Sequence, residues 1–501
     1  MKLSGPLLSK INKALAKDLL AVSKRLAQKD STIWGPGTQA ASFLGWIDLP
    51  VKSRELMPEL DSLAAWARTN NLSRVILCGI GGSTLAAEVI AAAYKREVIV
   101  VDSTHPAQVL KASATDLIKS VIVISSKSGT TIETVSHLKY FTAKLIELGL
   151  EPKDHLVIIT DPKTPLDISS RQQGLRVVNA DPNVGGRFSA LSAFGLVPAA
   201  LMGIDVSVLL DDAEILTQSL AKDESPAVSI ACLLFTETEQ FLNLCDLNSN
   251  LPGLSEWIEQ LIAESTGKNN QGRLPVVISN PSEAIEDFII GFSEGNFDVI
   301  IEATLGEQFI LWEWITALLC YLLKVDPFNQ PNVAEAKERT AQILLNMSNN
   351  RFVIPEPTLE NSNYAIYSNQ KISKLHDFLN TPALYFAVMA YLARGQDDEI
   401  LKLNSVISKK IGKPVTFGWG PRFLHSTGQF HKGGQPNGCF IQVTAEISPQ
   451  LEVPGEHFTF NNLLMAQALG DGLALIERNL PLIRIHLKDT RKGIASLLLD
   501  F

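Results

Sequence analysis

Short unbroken apolar runs alternate with stretches of helical spacing up to about residue 210. "RVILCG" (74–79), "EVIVVD" (97–102), "SVIVIS" (120–125) and "HLVIIT" (155–160) are rich in β-branched and aliphatic residues and lack polar alternation. That pattern predicts strands buried on both faces, as in a parallel sheet covered by helices. Residues 56–70 and most intervals between the runs have helical periodicity, which predicts an α/β domain over 56–215 behind a helical extension over 1–55. Residues 211–230 read as a helical connector, and a second alternation follows. "QFLNLCD", "RLPVVIS" and "NFDVIIEA" are predicted strands, separated by the helix "GLSEWIEQLIAES" and followed by an apolar helix at 306–324. The turn "VDPFNQPN" precedes a helix carrying Lys337. Residues 350–364 read as an exposed loop and 371–412 as helical, while "PVTFGWG", "GCFIQVTA" and "LIRIHL" supply the last strands. The expected second α/β domain is therefore 231–490, with a helical insertion at about 345–412. The predicted class is α/β: two lobes, each a parallel sheet sandwiched by helices. Ligands of such sheets bind beyond the carboxyl ends of the strands.

Three strand–turn–helix junctions carry polar chemistry. In "VIVISSKSGTTIET" (121–134) an apolar strand stops at Ser125, Ser126, Lys127, Ser128, Gly129, Thr130 and Thr131, just before helix-forming sequence. Hydroxyls, backbone N–H groups and one cation at a helix start suit a phosphate, though a polar turn with a helix cap has the same composition. In "LCGIGGSTLAAEVI" (77–90), Gly79, Gly81 and Gly82 permit a tight turn and Ser83 opens the helix. In "NVGGRFSALSAFGLVPAALMG" (183–203), Arg187 follows two glycines and precedes a buried helix. Arginine offers planar recognition of oxyanions, and a surface arginine in a helix cap is the plainer reading.

Composition narrows the choice of ligand. The net charge of −9 over 501 residues argues against a nucleic-acid surface but allows a local basic pocket for a small phosphorylated molecule. The five cysteines have no C-x-x-C spacing, so neither a zinc site nor a redox motif is expected, and a reducing, cytoplasmic setting is. The N-terminus does not read as a leader peptide, and the longest apolar stretch is interrupted by Glu313, so no membrane span is expected.

"GIGGS", "SSKSGTTIET", "GGRFSALSAFGL", "WIEQLIAESTGKNNQGRLP" and "VDPFNQPNVAEAK" occur in that order, and together they resemble the phosphoglucose isomerase family. "GPRFLHSTGQFHKGG" (420–434) is similar to a segment of the family form fused to transaldolase, whose barrel would need roughly another 300 residues upstream. The resemblance implies two sugar-isomerase (SIS-type) lobes, reversible conversion of glucose 6-phosphate to fructose 6-phosphate through a cis-enediol, no cofactor or metal, and a homodimer. It places the phosphate on Ser126, Lys127, Ser128 and Thr131, and the sugar on Gly82, Ser83 and Gln330. It makes Glu264 the C1/C2 base, Arg187 the stabiliser of the enediolate, and His425 with Lys337 the ring-opening groups. One departure is expected to matter: His425 follows Lys337, whereas most members carry the similar His segment before it. His431 is the competing histidine, and Glu302, Glu307 and Glu313 are alternative bases. An isomerase of other sugar phosphates, or a non-catalytic sugar-phosphate-binding regulator, would share the phosphate loop.

Overall fold

The computed structural model describes residues 1–285, 288–347, 352 and 355–501. The chain opens with β1 (Lys2–Ser4), which returns below as an edge of the second sheet. The predicted apolar runs then form β2 (Arg74–Cys78), β3 (Ile99–Val101), β4 (Ser120–Ser125) and β5 (Leu156–Thr160), with β6 (Arg176–Asn179) beside them. Their order is β3-β2-β4-β5-β6, parallel throughout, and every residue of β4 is buried. Burial on both faces is what the missing polar alternation requires.

A second sheet holds β7 (Phe241–Cys245), β8 (Leu274–Val277), β9 (Ile289–Gly291) and β10 (Val299–Glu302), in the order β1-β10-β9-β7-β8. All pairs are parallel except β1 with β10. The helix Leu305–Leu323 starts at a capping box made by Thr304 and Glu307 and is buried nearly all round, as its unbroken apolar sequence predicts. A third sheet holds β11 (Leu359–Glu360), β12 (Tyr364–Ser368), β13 (Tyr385–Ala390), β14 (Val415–Trp419), β15 (Gly438–Ala445) and β16 (Leu482–Leu487). Its order is β11-β12-β16-β15-β13-β14, with the four strands β16-β15-β13-β14 parallel.

The expected parallel sheets flanked by helices are present, but the chain beyond 231 builds two sheets where one lobe was expected. The helical insertion expected at 345–412 does not form as a helical unit. β11, β12 and β13 lie there, and among the described residues its α-helix beyond Pro331–Leu345 is confined to Lys402–Ile411, beside short 3-10 turns at Leu375–Asn380 and Asp398–Leu401. The run "YFAVMA" is apolar at every position, so spacing alone does not separate a buried strand from a buried helix. Flanked in the sheet by β14 and β15 and buried along its length, it is a strand. Residues 348–351 and 353–354, within or beside the expected loop at 350–364, lie outside the described residues. The 1–55 segment is largely helical, apart from β1.

Two apolar clusters hold the C-terminal region against the rest. Phe460, Leu463 and Ala466 of the helix Phe460–Ile476 pack with Ile76, Ile122 and Ile124 of the first sheet. Tyr385, Met389, Phe430 and Phe440 pack with Ala263 and Leu274 of the second region. The carboxyl end of β14 is thereby delivered beside the glycine turn after β2. Among the described residues, no helix is long and apolar enough to cross a membrane.

Candidate active site

The turn Gly81–Ser83 leaves β2 in a short 3-10 turn before the helix Leu85–Ala93. Gly81 has φ +61°, and a Cβ there would lie 2.8 Å from both Cβ and O of His425 and 2.9 Å from Gln260 Nε2. A Cβ on Gly82 would lie 2.3 Å from the carbonyl oxygen of Gly186. Neither position has room for a side chain, so the glycine turn meets the Arg187 turn on one flank and the His425 turn on the other. Ser83 is half-buried, and its carbonyl accepts from Ser125 Oγ at 3.0 Å.

Arg187 is buried at 5% exposure and reaches five residues on two segments, the helix Leu254–Thr266 and the turn before Pro331. Its Nη1 lies 3.0 Å from Glu264 Oε1 and 3.4 Å from Gln330 Oε1. Its Nε donates to Ser265 Oγ at 2.8 Å, and its Nη2 to the carbonyls of Pro327 (2.8 Å) and Asn329 (3.1 Å). Glu264 lies on the helix Leu254–Thr266, buried at 5% exposure, with its second oxygen 3.3 Å from Gln260 Nε2. Gln260 Nε2 also donates to the His425 carbonyl at 2.6 Å. Gln330 is the residue before the helix Pro331–Leu345. The "VDPFNQP" turn is thus held by the arginine through two backbone carbonyls and the Gln330 side chain. Lys268, in the same "STGK" segment, donates to the carbonyl of Asp326. Burial, with Arg187 nearby, pushes its ammonium down to about 7.

His425 ends the 3-10 turn Arg422–His425 after β14. Its Nε2 lies 3.4 Å from Glu133 Oε1, and Gln467 Nε2 donates to the same oxygen at 2.6 Å. Burial works against the Glu133 carboxylate, but the hydrogen bond and charge of His425, with the charge of Lys337, hold it below the usual carboxylate range. Lys337 stands exposed on the helix Pro331–Leu345, close enough to act on Glu133. Glu133 was not singled out from the sequence. The signal was there, as the acidic residue in the first turn of the helix after the phosphate loop, but its partners come from over 290 residues away.

The loop 126–131 follows β4 and opens the 16-residue helix Ile132–Glu147. Gly129 has φ +65°, which lets the loop fold back. Ser126 Oγ donates to Thr131 Oγ1 at 3.2 Å, and Ser128 Oγ accepts from Thr130 N (3.3 Å) and Thr130 Oγ1 (3.1 Å). Lys127 points away from these hydroxyls. Its Nζ donates to Asp161 Oδ2 at 2.5 Å and to the Asp181 carbonyl at 3.4 Å. The donors this arrangement offers are the hydroxyls and the N–H groups of the helix start.

The other candidates are placed elsewhere. His431 is buried with Nδ1 3.0 Å from the Tyr385 hydroxyl, among Phe423 and Phe440, and burial together with Lys432 pushes it down to about 3. Glu302 pairs with Lys2 at 2.7 Å, Glu307 caps its own helix and meets the N-terminus, and Glu313 is fully buried with burial raising its carboxyl far above the usual range. None of the three touches Arg187. A cleft of about 700 Å³ is lined by Glu256, Glu259, Arg394, Arg422 and Ser426, but not by Glu264, Arg187 or His425. The candidate residues Arg187, Glu264 and His425 thus form a tightly packed cluster outside that cleft.

The comparisons bear on this cluster. Residues 9–282, more than half of the chain, match the phosphoglucose isomerase family model. The glucose-6-phosphate isomerase of Thermus thermophilus is 31% identical over 283 residues, covering 54% of this chain and 67% of that protein. That of Carboxydothermus hydrogenoformans is 30% identical over 290 residues, covering 52% and 62%. That of Mycoplasmopsis pulmonis is 25% identical over 418 residues, covering 67% of this chain and 97% of that one. The crystal structure of a glucose-6-phosphate isomerase from Chlamydia trachomatis aligns with TM-score 0.58 and 18% identity over 69% of this chain and 89% of that chain, a likeness of fold. The matched span takes in the glycine turn, the 126–131 loop, Arg187 and Glu264, and the chain belongs to the phosphoglucose isomerase family.

Proposed function

We propose that the chain interconverts glucose 6-phosphate and fructose 6-phosphate by ring opening followed by proton transfer through a cis-enediol. The observation that carries the reading is the buried pair Arg187–Glu264, one guanidinium nitrogen 3.0 Å from one carboxylate oxygen, within a cluster that also holds an imidazole. Glu264 removes the proton at C2 and returns it at C1. Its carboxylate is oriented by Gln260 and Arg187, so few rotamers remain to be frozen when substrate binds. Arg187 faces the enediolate oxygen that develops during that transfer, and its charge is worth most where water is excluded. His425 moves the ring-opening proton, held by Glu133 at the distal end of its ring, with Lys337 as the neighbouring cation. The phosphate rests on Ser126, Ser128 and Thr131 at the start of the helix Ile132–Glu147, and Gly82, Ser83 and Gln330 face the sugar. Lys127 adds its charge to the loop from its seat on Asp161.

Five buried free cysteines fit work in a reducing cytoplasm. The homodimer expected for the family belongs to the same reading. A coupled assay following fructose 6-phosphate from glucose 6-phosphate, without added metal, tests the activity. Comparison with mannose 6-phosphate and glucosamine 6-phosphate tests the sugar preference, because hydroxyl contacts set it. Turnover confined to one of the other sugars would replace the reading with a different aldose–ketose isomerase.

A further inference from the structure

Four charged side chains outside the reacting cluster meet behind the His425 turn. Arg422, the first residue of that turn, donates through Nη1 to Asp102 Oδ2 at 2.6 Å and to Glu88 Oε2 at 2.9 Å. Arg394 reaches the same two carboxylates, Asp102 at 3.4 Å and Glu88 through its other nitrogen. Asp102 is 2% exposed and also accepts from Gln108 Nε2 at 3.0 Å. Both arginines follow the carboxyl ends of adjacent strands of the third sheet, β13 and β14. Both carboxylates belong to the first region, Asp102 just after β3 and Glu88 on the helix that leaves the glycine turn.

We propose that Arg422 is a positioning residue for His425: with Arg394 it clasps Glu88 and Asp102, and so fixes the C-terminal turn against the first sheet at the height where the imidazole meets Glu133. The inference rests on the reading of His425 given above. Residues i and i+3 of a 3-10 turn lie above one another, so an anchor at Arg422 sets the start of the side chain at His425. The seat beneath is rigid, because Gly81 leaves no gap to His425 and Ser103 Oγ ties the turn's approach through the Gly420 carbonyl at 3.4 Å. Two cations and two anions pair here, and Glu256, on the wall of the neighbouring cleft, adds its charge to the Arg422 side. Burial opposes ionisation of Asp102 and Glu88, yet Arg422 and Arg394 hold both below the usual carboxylate range. Apolar packing would join the two regions with a smaller desolvation cost, so charges at this place are better explained by the register they specify.

The test is a double-mutant cycle of R422M and H425N, with kcat and KM measured on glucose 6-phosphate and a thermal melt on each variant. R422M is expected to lower kcat by about tenfold to a hundredfold, as a displacement near 1 Å does, with KM close to the parent value. In the H425N background the same substitution is expected to add almost nothing, because the group it positions is gone. R422K, which keeps the charge without the planar fork, should recover part of the loss. If R422M does not fold, the R422K and H425N cycle carries the same test. Parent-like kcat in R422M, or losses that multiply in the double variant, would overturn the proposal while leaving His425 catalytic. Parent-like kcat in H425N would overturn the reading of His425 itself, and the proposal with it.

Discussion

The region 74–203 and the region 359–501 contribute to one site by different routes. In the first, every candidate group stands close behind the carboxyl end of a strand of one parallel sheet: Ser83 behind β2, Ser126 to Thr131 behind β4, Arg187 behind β6. The geometry follows from the sheet alone, so short local motifs suffice to encode it. The C-terminal region has a sheet of its own and adds a histidine to a site that another sheet organises. It therefore needs long-range ties: the packing of Phe460 on the first sheet, the contact of Gly81 with His425, and the charge cluster around Arg422. Local encoding makes a binding loop tolerant of distant change, whereas a group delivered from afar depends on its anchors.

That contrast can be broken or sharpened by substitution. Arg187→Lys keeps a charge in the first region but loses the fork that holds Glu264, Ser265 and the Pro327 carbonyl together. Turnover should fall by about 10²–10³-fold with a smaller change in KM, as for loss of an oxyanion-stabilising donor. A change confined to KM would assign Arg187 to ground-state binding. Ser126→Ala should weaken binding of 6-phosphogluconate by about 1.5–3 kcal/mol, the worth of a hydrogen bond to a charged group, as read by calorimetry. Lys127→Met should weaken it less than Ser126→Ala does, because the Lys127 ammonium is already engaged by Asp161. A larger loss for Lys127 would show that the pair opens to meet the phosphate.

Acid should strain both regions. His105 and His137 in the first, and His431 in the C-terminal region, are buried and pushed down from 6.5 to about 4, 4 and 3. Their folded values lie below the unfolded one, so the stability they contribute is full above about pH 6.5 and is lost as pH falls toward the folded values. Urea melts between pH 7 and 5 should show a decline of up to about 1.4 kcal/mol per pH unit for each histidine. His431→Phe, which fills the aromatic cage without a titrating ring, should flatten that slope.

The readable and unreadable parts of the molecule divide along the same line. The strands of the first sheet, the polar loop after β4, the turn before Arg187 and the Glu264 helix were legible because strand, turn and helix signals are local, whereas the roles of Arg187 and Glu264 come from the family resemblance. β13 was not, since an apolar run without a period takes its identity from neighbours in the sheet. Gln467 and the Arg422 cluster were invisible, and Glu133 showed only as a first-turn acid, because their partners lie hundreds of residues away. In "LHSTGQFHKGG" the resemblance points to His425, with His431 as its competitor, and their surroundings differ: His425 meets Glu133, whereas His431 is caged by Tyr385, Phe423 and Phe440.

The central claim is that Glu264 carries the proton between C2 and C1 while the C-terminal segment serves ring opening. Exchange of the C2 hydrogen of glucose 6-phosphate with solvent deuterium, followed by proton NMR, tests it most directly. The ring-opened fraction already present in solution keeps some exchange available to an enzyme that has lost its ring-opening group. Glu264→Gln should lower exchange by about 10²–10⁴-fold, as loss of a general base does, while 6-phosphogluconate still binds. His431→Asn, in a variant that keeps its fold by near-UV circular dichroism, should leave exchange near the parent rate. Near-parent exchange in Glu264→Gln together with its loss in His431→Asn would contradict the account and move the base to the C-terminal segment.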